Sequence, residues 1–172
     1  MGLFGKLLKK TEETGKQEKE LLEKNTAYAP VEGELIPLEE FPDEVFRSGL
    51  LGPGCGIIPA EGLVWAPFHG TVEALPDSRH AVGLRSEDGM ELLIHVGVDT
   101  VEMNGKGFEA YVQVGDTVEK GERLLSFSLD EIEKAGYNNT VAVIVSNSSD
   151  YKSVEVIAKG QVNNQMPIIK AE

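Results

Sequence analysis

The chain has 172 residues, a formal net charge of -13 at pH 7 and 41% hydrophobic residues, enough for one domain with a sizeable core. The acidic balance excludes a nucleic-acid binder, because phosphate neutralisation needs clustered Lys and Arg. The single cysteine, Cys55, excludes an intramolecular disulfide and a cysteine-rich zinc site.

The first ten residues, MGLFGKLLKK, put Leu3, Phe4, Leu7 and Leu8 on one helical stripe and Lys6, Lys9 and Lys10 elsewhere. That pattern suits weak attachment to an anionic membrane surface. Residues 11–25 are charged and lack aromatics, as a mobile linker does. Residues 1–26 are therefore expected to be a mobile N-terminal segment, and 27–172 a single domain. No secretory signal and no run of membrane-spanning length is present, so the expected location is the cytoplasm.

From Ala27 onward the text is short apolar segments broken by Gly and Pro, such as GELIPL, GLVWAP, HAVGLRS, MELLIHVGV and TVAVIVS. This spacing predicts an all-β fold, an antiparallel sandwich or barrel. One or two short helices are expected. One lies at LDEIEKAG, with Ser128 or Asp130 at its start and Gly136 at its end. Residues 29–38, APVEGELIPL, align without gaps on 66–75, APFHGTVEAL, which points to a duplicated β-unit. His69, inside the second copy, reads as a surface turn residue.

His95 sits in an apolar run, Leu92, Leu93, Ile94, Val96 and Val98, suited to a strand covered on both faces. It is either a core histidine with satisfied nitrogens or a reactive imidazole on a rigid wall. His80 opens the preceding strand. If the hairpin loop is 86–89, Arg85 lies opposite Met90 and His80 directly opposite His95, with Cβ atoms about 5 Å apart. A bulge at Gly89 would shift that register by one and leave the rings close but skewed. Two facing imidazoles contribute poorly to packing, and each needs a partner. A metal site is one reading, although two ligands are too few for a closed zinc centre. A nucleophile with a hydrogen-bonding helper is the other. The Gly97 carbonyl is a candidate acceptor for a ring N–H of His95. Asp99 reads as a turn residue or as an acid at the rim, facing a basic partner.

The run GMELLIHVGVDTV at 89–101, followed by Gly105-Lys106-Gly107-Phe108, resembles the active-site signature of the glucose-type IIA component of the bacterial phosphoenolpyruvate-dependent sugar phosphotransferase system. Ser78-Arg79-His80-Ala81-Val82 is similar to the family's second-histidine segment. Residues 29–33 and 41–46, Gly115-Asp116-Thr117-Val118 and Gly121 also fit, so the resemblance covers roughly 29–170. It implies a β-sandwich with a duplicated motif and a phosphocarrier function. His95 would accept the phosphoryl group through Nε2, His80 would support transfer, and Ser78 would orient His80. Asp43 and Asp99 would engage basic partner residues, and Phe46, Leu50 and Leu51 would form the apolar contact. The implied partners are HPr and a sugar-specific IIB domain of a membrane permease. The implied chain is a monomer that requires no cofactor. Family members also regulate transporters or kinases, and zinc bridging His80 and His95 at a partner interface is a further expectation.

Two rivals are weaker. The run VGDTVEKGERLL at 114–125 resembles the hairpin of biotinyl and lipoyl carrier domains, but no modifiable lysine motif sits at a turn. A β-sheet zinc peptidase needs a His-x-His pair, and Leu93 and Gly97 occupy the alternate positions beside His95.

Overall fold

The computed structural model describes residues 19–172. The expected membrane-lying stripe at 1–10, and 1–18 in general, fall outside them. In chain order the elements are β1 (Thr26–Tyr28), β2 (Gly33–Pro37), α1 (Glu44–Arg47), β3 (Gly54–Pro59), β4 (Leu63–Trp65), β5 (Gly70–Ala74), β6 (Ala81–Ser86), β7 (Glu91–Val96), β8 (Phe108–Ala110), β9 (Thr117–Val118), β10 (Arg123–Phe127), α2 (Leu129–Lys134), β11 (Val141–Val145), β12 (Val154–Val156), β13 (Gly160–Val162) and β14 (Pro167–Ala171). The helix expected at LDEIEKAG is α2. Ser128 caps it, accepting from the Glu131 N–H at 3.1 Å, and Gly136 leaves it at φ +86°, as the sequence punctuation requires.

All strand pairs among the described residues are antiparallel. The large sheet has the order β13-β2-β3-β11-β7-β6-β5-β9, and two small sheets have the orders β1-β14-β12 and β4-β10-β8. One core joins the large sheet to both small ones. It holds Leu35, Ile57, Val72, Leu84, Leu92, Ile94 and Val143 on one side and Ala27, Val64, Leu124, Leu125 and Ile169 on the other. The expected all-β sandwich is the fold.

The repeat read from the sequence is structural. Its two copies place β2 and β5 at equivalent positions. The Tyr28 N–H donates to Pro67 O at 2.9 Å, and its counterpart Trp65 N–H donates to Pro30 O at 2.7 Å. The large sheet reads the same outward from its central β11–β7 pair in either direction. The repeated glycines have a physical reason, since a Cβ on Gly33 would overlap the Ile58 carbonyl and one on Gly70 the Arg85 carbonyl.

The reading of His69 needs correction. It is buried, its Nε2 bonds the Glu20 carbonyl at 2.7 Å, and its Nδ1 accepts from the Lys120 N–H at 3.0 Å. It therefore ties the segment before β1 to the domain, and Leu22 of that segment packs on the core. The chain position looked like an open turn because Glu20 and Lys120 are far from His69 in sequence.

Gly33→Ala and Gly70→Ala are expected to destabilise the domain to similar extents, by about 1–3 kcal/mol. Denaturant titration of each variant checks this. A neutral result at either site would mean that the strand spacing there is looser than described.

Candidate functional site

The β6–β7 hairpin fixes the site, and its register differs from the expected one. Ala81, not His80, lies opposite His95, and Arg85 lies opposite Glu91. The loop is 87–89, closed by the Ser86 N–H to Met90 O at 2.8 Å. Gly89 takes φ +97°, giving a three-residue loop with a left-handed final residue. That single glycine conformation moves the pairing by one.

Strict alternation would then send His80 to the other face from His95. His80 escapes this because it stands just before β6, after a turn in which Arg79 has φ +55°. Its ring comes back to His95, with centroids 4.9 Å apart and planes at 81°. His95 has Ala81 opposite it on β6 and Ala142 on β11. Two small neighbours leave room for the second imidazole.

Along β7, Leu92, Ile94 and Val96 enter the main core. Leu93, on the face of His95, packs on a smaller cluster of Leu38, Phe41, Phe46, Ala142 and Ile144. Phe46 of α1 lies against the His95 ring, with centroids 5.1 Å apart. Asp43 caps α1, accepting from the Val45 N–H at 3.1 Å. Leu50 and Leu51, just past α1, are exposed. So are Val45 and Val101, two apolar residues that the sequence reading did not single out.

Each imidazole is anchored through Nδ1. His95 Nδ1 bonds the Gly97 carbonyl at 2.9 Å. A carbonyl only accepts, so Nδ1 carries the proton and Nε2 keeps a lone pair. The Gly97 carbonyl singled out from sequence thus fixes the tautomer. His80 Nδ1 bonds Ser78 Oγ at 2.6 Å. When that hydroxyl donates, His80 Nε2 carries its proton and is a donor.

Burial pushes both rings toward the neutral form. His80 falls from the ordinary 6.5 to about 4, through burial and then the like charge of His95. His95 also falls, through burial, against the Gly97 bond and the carboxylates of Asp43 and Asp99, which favour the charged form. Cys55 is no competing nucleophile, since burial pushes its thiol up to about 12.

His80 and His95 offer two nitrogens to a metal. Among the described residues no group of three or more His, Cys, Asp or Glu side chains could hold one. The pair does not close a tetrahedral zinc centre by itself, and a zinc ion there would need ligands from another molecule.

Residues 25–151 match the family model for the phosphoenolpyruvate-dependent sugar phosphotransferase system, EIIA 1. The chain belongs to this family and is a glucose-type EIIA component of that system. It is 39% identical over 154 residues to the PTS system glucose-specific EIIA component of Staphylococcus epidermidis, covering 90% of this chain and 89% of that one. It is 44% identical over 143 residues to the PTS system beta-glucoside-specific EIIBCA component of Dickeya chrysanthemi, covering 83% of this chain. This chain spans only 23% of that multidomain relative, and 18% of the glucose-specific EIICBA component of Staphylococcus saprophyticus. The glucose permease IIA from Mycoplasma capricolum has the same fold, with a TM-score of 0.74 and 29% identity over 84% of this chain and 93% of that one. Among the described residues no helix is long and apolar enough to cross a membrane.

The depressed histidines set a pH dependence. Between pH 6.5 and about 4 the unfolded chain binds a proton at position 80 that the folded chain does not. Stability is therefore expected to fall as pH drops through that window, with no further loss from this group below it. Denaturation midpoints measured from pH 7 to 4 check this. The slope should be shallower in His80→Gln, and an unchanged slope would mean that His80 is not desolvated.

Proposed function

We propose that this chain is a cytoplasmic phosphocarrier that takes a phosphoryl group from HPr on His95 Nε2 and passes it to a sugar-specific IIB domain. The observation that carries the reading is the pair of Nδ1 anchors. They leave one free lone pair on His95 beside a second ring whose Nε2 can donate.

In the first transfer the P–N bond on the carrier's phosphohistidine breaks and the carrier imidazole keeps the electron pair. His95 Nε2 supplies the pair for the new P–N bond, and no redox change occurs. The phosphoryl group is loose and anionic in transit, so positioning and donors do most of the work. His80 Nε2–H stabilises its oxygens, and Ser78 holds His80 in the donor tautomer. Phe46, Leu50 and Leu51 supply apolar contact. Asp43 and Asp99 steer a basic partner surface, in keeping with the net charge of -13.

A IIB partner is supported by relatives whose single chains are named EIIBCA and EIICBA. Those relatives include beta-glucoside-specific and glucose-specific components, and the sugar would be selected on the partner chains.

The test incubates the protein with phosphoenolpyruvate, Enzyme I and HPr and records the intact mass. One acid-labile phosphoryl group is expected on the wild type and none on His95→Gln. His80→Gln is expected to accept the group but pass it to a IIB domain about a hundredfold more slowly. No mass gain with active partners would overturn the carrier reading.

A further inference from the structure

The bond from His95 Nδ1 to the Gly97 carbonyl needs that carbonyl to point back at the ring, and Gly97 lies beyond the end of β7 in a tight turn. Two residues of this turn have left-handed backbones, Gly97 at φ +79° and Asp99 at φ +59°. A turn of this kind holds its shape only where its surroundings determine it.

The surroundings act from two sides. From the strand side, the Gly97 N–H donates to Thr140 O and the Val98 N–H to Asn138 O, each at 3.0 Å. Asn138 Oδ1 accepts from the Thr140 N–H at 2.8 Å and stiffens that segment. From the other side comes Thr100, which is fully buried at 0% exposure. Its hydroxyl donates to the Val96 carbonyl, and its methyl occupies the space a Cβ on Gly97 would need. The Val96 N–H donates to the His80 carbonyl at 2.7 Å. The His95–Val96 peptide thus links the backbones of both histidines, and Thr100 holds the next peptide along through the Val96 carbonyl.

We propose that Thr100 is a positioning residue for His95: its hydroxyl holds the turn that presents the Gly97 carbonyl to Nδ1, and so keeps Nε2 as the free nitrogen. The importance of that nitrogen rests on the phosphocarrier reading; the positioning itself does not. Thr100 is hydrogen-bonded to neither ring, and it acts through Val96 and Gly97. A hydroxyl buried this deeply must be paired, and an isosteric valine would leave the Val96 carbonyl without it.

The test uses the full chain, with nitrogen-detected NMR of the imidazoles and the rate of phosphoryl uptake from HPr. Wild type is expected to show His95 as the Nδ1–H tautomer alone. Thr100→Val, folded by its amide spectrum, is expected to show mixed tautomers and uptake about tenfold slower. Thr100→Ser, which keeps the hydroxyl, is expected to restore both. An unchanged tautomer in folded Thr100→Val would overturn the proposal whatever the rate, and so would failure of the serine variant to restore it. Should the valine variant not fold, Thr100→Ala is read by the same two criteria. Absence of uptake by wild type would defeat the carrier reading alone, since the tautomer comparison needs no phosphate.

Discussion

β7 and β11 pair through five consecutive positions at the middle of the large sheet, and the other strands are placed relative to this pair. All five residues of β11 are buried. Buried backbone groups must be hydrogen-bonded, so each outer edge of the pair takes another strand, β3 on one side and β6 on the other. Both faces must also be covered, since the pair is apolar above and below. The two small sheets cover one face. On the other, Leu38, Phe41 and Phe46 cover Ala142 and Ile144. This second cover is small, and His95 lies at its margin, half-buried and in contact with Phe46.

That position decides the charge state of the two rings. Asp43 and Asp99 favour a protonated His95, yet burial outweighs them and its affinity for protons falls. His80 falls to about 4, so at pH 7 its ring is neutral. Neutral rings have one donor and one lone pair each, and the Nδ1 partners decide which nitrogen has which. In the proposed phosphocarrier role, a neutral donor beside His95 Nε2 suits a group that must leave again.

Much of this was legible in the chain because the relevant signals are local. The strands, α2 with its Ser128 cap, and the repeat all come from spacing and turn residues. The closeness of His80 and His95 was inferred from a register that is off by one and arises in the fold from the turn at Arg79, whereas the Gly97 carbonyl followed from its distance along the strand. The register did not, because it turns on the loop conformation at Gly89, which sequence permits either way. His69 was misread for a related reason: its partners, Glu20 and Lys120, meet it only in the fold. The clamp from Asn138 and Thr140 had no sequence signal either, since their contacts to the Gly97 turn run across the β7–β11 pair. Thr100 had a weak one, a threonine just after a Gly-x-Asp turn, where side chains commonly bond nearby backbone.

The duplication explains why such a site can exist beside an apolar surface. The Val96 N–H reaches the His80 carbonyl at 2.7 Å, and in the other copy the Val145 N–H reaches the Pro53 carbonyl at 2.9 Å. By the same correspondence Ile144 stands where His95 does. These equivalent positions are close, because the β7–β11 pair lies on the axis that relates the copies: His95 faces Ala142, and Ile144 faces Leu93. A second pair of imidazoles there would bury two more polar rings and remove apolar contacts from the Phe41–Phe46 cluster, both at a cost. With Pro53 and Ile144 in place, one copy presents the two rings and the other builds the apolar floor beside them. In the proposed role, a partner would bury apolar surface on one half of the axis while its reacting group meets His95 on the other.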